Sequence, residues 1–205
     1  LSKPGAIRLP NTPDKNPAKN SFAPCCIKWY YTQPKGGGAM REIPYNREKA
    51  VAYAKRWALD RNPRYYNFSG IGGNCANFAS QCIYEGIGVM NFTPIYGWYY
   101  RSADDRAPAW TSVKYLHSFL VGNGSGPGPY AEETDLGGIM PGDVIQIASW
   151  KPEFHHTLVV VGAEGARAPE NVLIAANSYD SLNRPLASYD IQKMRCLHII
   201  GGRKP

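Results

Sequence analysis

Between Asn46 and Pro63, apolar residues recur at helical spacing: Ala50, Val51, Ala54, Trp57 and Ala58 make one face, and Lys49, Lys55 and Arg56 lie largely off it. Asn46 suits the N-cap, Glu48 falls in the first turn and Pro63 marks a stop, so the pattern predicts a helix over 47–61. A second helix is predicted over 75–85, entered from a glycine-rich stretch at 69–73 and ended by Gly86. A third is predicted over 112–120, with Val113, Leu116 and Leu120 on its apolar face. Beyond a Gly/Pro loop at 122–129 the period changes. Apolar and β-branched runs at 143–148, 156–161, 172–176 and 195–200 read as strands. Helices first and strands later predict an α+β fold, with N-terminal helices packed on a mostly antiparallel sheet.

Length and composition narrow this. At 205 residues and 43% hydrophobic content, the chain can build one domain with a real core. No apolar run approaches the ~20 residues of a membrane-spanning helix, and charged residues at 19% exclude a disordered polyelectrolyte. Pro4, Pro10, Pro13, Pro17, Pro24 and Pro34 interrupt every potential helix in the first segment, and Gly36 to Gly38 close it. The division expected is therefore a basic Pro/Gly-rich arm at 1–44 and a domain at 45–205. Residues 1–66 hold thirteen Lys and Arg against four Asp and Glu, while the rest is close to neutral. Such a basic face suits an anionic partner or a solvated surface. The chain opens on Leu1, which suits a cleaved secretory signal or a trimmed start. Five cysteines without a C-x-x-C pair make a zinc site improbable and leave at least one thiol free or paired between chains.

One stretch carries the candidate chemistry. From Asn67 to Tyr100, Glu85 is the single charged side chain, which marks a buried centre or a cleft wall. Within it, Gly72-Gly73-Asn74-Cys75 puts a cysteine at the first position of a predicted helix. Unpaired N–H groups and the positive end of the helix dipole there would stabilise a thiolate below the ~8.5 of a free thiol. Cys82, two turns on, reads as a small core hydrophobe.

A thiol nucleophile needs a base, and four histidines are available. His117 falls within a helix and His198 within the last strand. His155 and His156 stand at the mouth of the 156–161 strand. Alternation puts His156 on the side of Leu158 and Val160 and His155 on the other, and His156 is the expected base. Asn177 closes the 172–176 strand, where an amide could orient the imidazole; Asp180 is its competitor, and turn chemistry explains both equally simply. Trp98-Tyr99-Tyr100 reads as core packing before it reads as a substrate groove.

The segments Tyr45 to Ala54, Arg61-Asn62-Pro63, Gly72 to Cys82, Trp98 to Tyr100, Trp110 to Val113, Gly142 to Ile145, His156-Thr157 and Asp180 with Asn183 to Leu186 together resemble the bacterial putative amidase domain family. They follow that family's order over about residues 45–200. The family is more distantly similar to papain-like NlpC-type and CHAP peptidoglycan hydrolases, in which a Gly-Asp precedes a histidine that opens a strand ending in Val-Gly. The resemblance implies a papain-like, NlpC-like fold and a cysteine amidase or peptidase, with Cys75 as nucleophile, His156 as base and Asn177 third. It implies thioester chemistry without metal or organic cofactor. The backbone N–H of Cys75 would hold the oxyanion, with Asn74 a candidate second donor. Two positions depart from the family: an Asp usually precedes the cysteine and is Asn74 here, and the third position, often His in relatives, is Asn177.

The expected substrate is peptidoglycan or a peptide, with an anionic wall polymer as a further partner, no nucleic acid, and a secreted or wall-associated location. Two other classes fit the same residues: a catalytically silent wall- or peptide-binding module, and a secreted toxin or transferase that modifies a protein through the same cysteine.

Overall fold

The computed structural model describes residues 39–164 and 168–205. Most of the basic arm, with Cys25 and Cys26, lies outside them. The last part of the predicted arm is sheet: β1 (Arg41–Pro44) pairs antiparallel with the final strand.

Four helices precede most of the sheet. α1 (Arg47–Trp57) is capped as its sequence predicts, Asn46 Oδ1 accepting from the Lys49 N–H at 2.9 Å. It stops four residues short of the expected end, because carbonyls past its C-terminus bond to Asn177 and not to a further turn. α2 (Cys75–Ile87) runs two residues beyond its expected end. Gly86 lies inside the helix, where an added Cβ would sit 2.3 Å from the Tyr45 ring, and Gly88 at φ +69° is the left-handed terminator. The short α3 (Pro108–Thr111) precedes α4 (Val113–Gly122), whose N-cap is Ser112.

The strands are β2 (Gly128–Thr134), β3 (Val144–Ala148), β4 (His156–Ala163), β5 (Val172–Ala176), β6 (Ser181–Pro185) and β7 (Lys193–Lys204). They form one antiparallel sheet in the order β1-β7-β3-β4-β5-β6, with β2 also on β7. The α+β class with a mostly antiparallel sheet is therefore the architecture of the chain. β1, β2 and β6 escaped the sequence pattern, since Pro44, Pro129 and Asn183 interrupt their alternation.

Two apolar layers flank the sheet, and strand alternation sorts most of its residues between them. Val144, Val159, Val161, Ala175 and Leu197 pack with Ala54, Ala79, Cys82 and Ile83 of the helices. Ile145, Ile147, Leu158, Val160 and Ile174 pack on the opposite face with Leu186. Trp98 and Trp110, both fully buried with ring centroids 4.7 Å apart, anchor the helical layer. Trp98 is thus core, its Nε1 donating to Ser80 Oγ at 3.0 Å.

Candidate active site

Cys75 is the first residue of α2, as the sequence predicts, and the turn before it runs through Gly72 at φ +87° and Gly73 at φ +108°. Only glycine adopts that path without strain, and it delivers the cysteine to the helix start. Cys75 is 7% exposed. Sγ lies 4.0 Å from the His155 carbonyl oxygen, and the N–H and hydroxyl of Thr157 and the N–H groups of Cys75 and Ala76 favour its ionised form. Burial outweighs these donors. The Cys75 pKa is raised, which reverses the expectation that a helix start alone would depress it.

His156 opens β4 with Leu158 and Val160 on its own side, as alternation requires. That side is the one turned away from α2. Its cross-strand partner Ile147 belongs to the layer opposite the helices, and its ring neighbours are Tyr179 at 6.3 Å and Tyr189 at 6.1 Å. His156 keeps the parity of Leu158 and Val160, and the helices cover the other face. No hydrogen bond among the described residues joins His156 to Cys75 or Asn177. Burial, with smaller contributions from His155 and Arg184, holds the His156 pKa down to about 4, and its Nε2 is buried with no hydrogen-bond partner.

Thr157 is the residue of this strand that meets Cys75, and His155 shares its parity. The His155 ring lies on a loop, with Nδ1 3.0 Å from the Glu153 carbonyl and Nε2 3.1 Å from Ser149 Oγ. A carbonyl can only accept, so Nδ1 carries a hydrogen, and Nε2 is the ring nitrogen left facing the Ser149 hydroxyl. The exposed Trp150 ring packs 5.2 Å from it.

Asn177 is bound elsewhere. Its Nδ2 donates to the carbonyls of Trp57, Ala58 and Asp60 at 3.1, 3.1 and 3.2 Å. Its Oδ1 accepts from Asn74 Nδ2 at 2.6 Å. The Asn74 amide, expected as an oxyanion donor, is spent on that bond, while its Oδ1 accepts from Asn77 and from the Phe68 N–H. The Asn74 N–H donates to Ser178 Oγ. Asp180 forms a bidentate pair with Arg61 at 2.8 and 3.1 Å. Neither candidate third residue touches an imidazole.

Sequence reasoning passed over two groupings. Asp143, fully buried, accepts from Arg47 at 2.6 Å, His198 Nδ1 at 2.7 Å and the N–H groups of Ile199 and Met140 at 2.9 and 2.8 Å. This explains both the Gly142-Asp143 pair and His198, and it pins α1 to β7. The other grouping, a row running from half-buried Arg195 through buried Gln146 and Thr157 toward Cys75, gave one signal: polar residues at positions where alternation demanded apolar ones.

The architecture is thus an α+β domain with a thiol held at a helix start against an antiparallel strand. Residues 44–200 match the putative amidase domain, and the chain belongs to that family, which points to hydrolysis of amide bonds. The chain is also 34% identical over 151 residues to the uncharacterized protein YhbB of Bacillus subtilis (strain 168). The match covers 70% of this chain and 45% of that protein, so the chain spans less than half of its relative's length. No solved structure matches.

Proposed function

We propose that the domain is a papain-like cysteine amidase that cleaves amide bonds in the peptide part of bacterial peptidoglycan. Family membership supplies the amide substrate class. The observation that carries the mechanism is the seat of Cys75 Sγ in the first turn of α2, against the mouth of β4. Sγ loses its proton to an imidazole and attacks the amide carbonyl. The developing oxyanion meets N–H groups of the α2 first turn, and the imidazolium protonates the leaving amine. Water then hydrolyses the thioester with the same base.

His155 is the base this geometry favours. It shares the parity of Thr157, adjoins Sγ through its carbonyl, and, with Nδ1 held by the Glu153 carbonyl, keeps Nε2 for proton exchange. Its ring rests on Ser149, and catalytic hydrogen bonds that are absent in a free enzyme often form only with substrate bound. The glycan or peptide chain would lie against the exposed ring of Trp150. The basic residues of 1–66 would hold the enzyme on an anionic wall outside the cell.

The test is digestion of purified peptidoglycan, with released fragments identified by mass spectrometry. Cys75→Ala should abolish release, and His155→Ala should lower it by about 10²–10⁴-fold, the usual worth of a general base. His156→Ala should cost far less at matched melting temperature. A dead, folded His156→Ala beside an active His155→Ala would return the base to His156. Binding without any release by the unmodified protein would favour a silent wall-binding module.

A further inference from the structure

Across the helix-covered face of the sheet runs a buried polar row, one residue from each of three adjacent strands. Arg195 of β7 pairs with Gln146 of β3, which pairs with Thr157 of β4. Gln146 and Thr157 are fully buried. Polar side chains in such a place are costly unless they bond one another, and these do so in a single direction. The Arg195 Nε and Nη2 groups donate to Gln146 Oε1 at 2.8 and 2.6 Å. With its oxygen committed, the amide presents only hydrogens. One reaches the Val113 carbonyl at 2.9 Å and the other Thr157 Oγ1 at 3.4 Å. An oxygen that accepts from Gln146 turns its own hydrogen outward, and Thr157 has the parity of Val159 and Val161 on the helix-packed side of β4, two residues from the His155 carbonyl that Cys75 Sγ meets at 4.0 Å.

We propose that Arg195, Gln146 and Thr157 form a polarised donor relay that delivers positive charge to the Cys75 thiolate. The proposal rests on Cys75 being the nucleophile, and it names three positioning residues for it. A guanidinium fixes the amide, the amide fixes the hydroxyl, and the hydroxyl together with the Thr157 N–H stabilises the sulfur when it ionises. The neutral thiol hydrogen points to the His155 carbonyl, an acceptor that would repel a thiolate. Losing the proton therefore shifts the sulfur's preference from that carbonyl toward Thr157. The relay would stabilise the buried thiolate once the imidazole has taken its proton. Titratable side chains on the surrounding elements are His155 at the β4 entry, Cys82 further along α2, Glu133 of β2, whose charge acts on Arg195, and Arg195 itself, half-buried over the Phe154 ring at 4.1 Å.

The test reads the thiol and not the amidase reaction, so it stands whatever the substrate proves to be. The rate of Cys75 alkylation by iodoacetamide is followed from pH 6 to 11 by peptide mass spectrometry. Thr157→Val keeps the side-chain shape and removes the last donor; alkylation at a fixed pH below the midpoint should fall about tenfold, with the profile moved to higher pH. Gln146→Glu keeps the shape and the Arg195 pair but turns the relay round, because Thr157 must then donate to the carboxylate; it should move the profile the same way. Arg195→Met, at the half-exposed end, should give a smaller shift in that direction. Melting temperatures identify any variant that has merely loosened, and loosening would speed alkylation, the opposite sign. Unchanged profiles in folded Thr157→Val and Gln146→Glu would overturn the relay. If the profiles move but the unmodified protein cleaves no amide, the relay stands and the proposed reaction falls.

Discussion

Asn74 Nδ2 donates to Asn177 Oδ1 at 2.6 Å, so the residue before the cysteine and the residue that ends β5 form one buried amide pair. These are also the two positions at which the chain departs from the family it resembles, where an Asp and often a His are expected. Both departures sit at the two ends of a single hydrogen bond. The two amides complement each other, and changing either one alone would leave a buried group without its partner.

That pairing makes a prediction about stability. Asn177→Ala removes the donor that three carbonyls at the end of α1 share and the acceptor that Asn74 uses. Chemical denaturation should show a loss of about 1–3 kcal/mol, the cost of stranding buried polar groups. Asn74→Asp should also destabilise, since a carboxylate oxygen would face Asn177 Oδ1, and adding Asn177→His should recover part of the loss. A double variant no better than the sum of its parts would mean that the two sites are independent.

His156 gives a pH dependence with a definite sign. Burial holds its folded pKa down to about 4, against the ordinary histidine value of 6.5. The unfolded chain therefore takes up the proton first as pH falls. The contribution of neutral His156 is complete above pH 6.5 and is lost progressively between 6.5 and about 4, to a total on the order of 3 kcal/mol. Melting temperature should fall across that window in the unmodified protein and fall less in His156→Gln. Equal slopes would mean that other groups carry the acid sensitivity.

Asp143 should be the most sensitive charged position in the fold. All four of its contacts are donors aimed at one fully buried carboxylate, two on each oxygen. Asp143→Asn turns an N–H₂ toward one of those pairs and leaves the Arg47 charge without its partner. A loss of about 3–5 kcal/mol is expected by equilibrium unfolding. A change below 1 kcal/mol would show that water or a shift of α1 compensates.

The elements with clean periods were legible in the sequence, and the contacts between them were not. α1, α2, β3, β4 and β5 follow from spacing and caps, because each buries one regular face. The end of α2 was misplaced because a glycine within a helix looks like a terminator until Tyr45 is seen packed against it. At the site, Cys75 and its helix start were readable from glycines alone. The alternation of His155 and His156 was readable too, but not which face of β4 the helices cover; that depends on the order of strands and on where the chain crosses. The amide pair and the Arg195–Gln146–Thr157 row join residues distant in sequence, so no local pattern could reveal them.

The cysteines provide the last prediction, and here burial sets the order. Cys82 is wholly buried and its pKa is pushed well up, Cys196 is pushed up to about 11, and burial also raises Cys75, opposed by the polar groups of Thr157 and of the α2 first turn. A helix dipole worth a fraction of a kcal/mol does not overcome the loss of solvation at a cysteine only 7% exposed. Iodoacetamide at pH 6 should accordingly modify none of the three appreciably in the folded, unliganded protein. As pH rises above 8, Cys75 should react first, since it is the least buried of the three and neighbouring N–H and hydroxyl groups favour its thiolate. Unfolding in guanidinium should erase the order and bring all three to the rate of a free thiol. Peptide-level mass spectrometry separates them from Cys25 and Cys26, which lie outside the described residues. Rapid labelling of Cys75 at pH 6 in the folded protein would mean that an imidazole already pairs with it in solution, with the His155 ring swung from Ser149 onto the sulfur. Labelling of Cys82 before Cys75 would mean that the α2 start is closed and that substrate reaches the thiol only after the 69–73 loop moves.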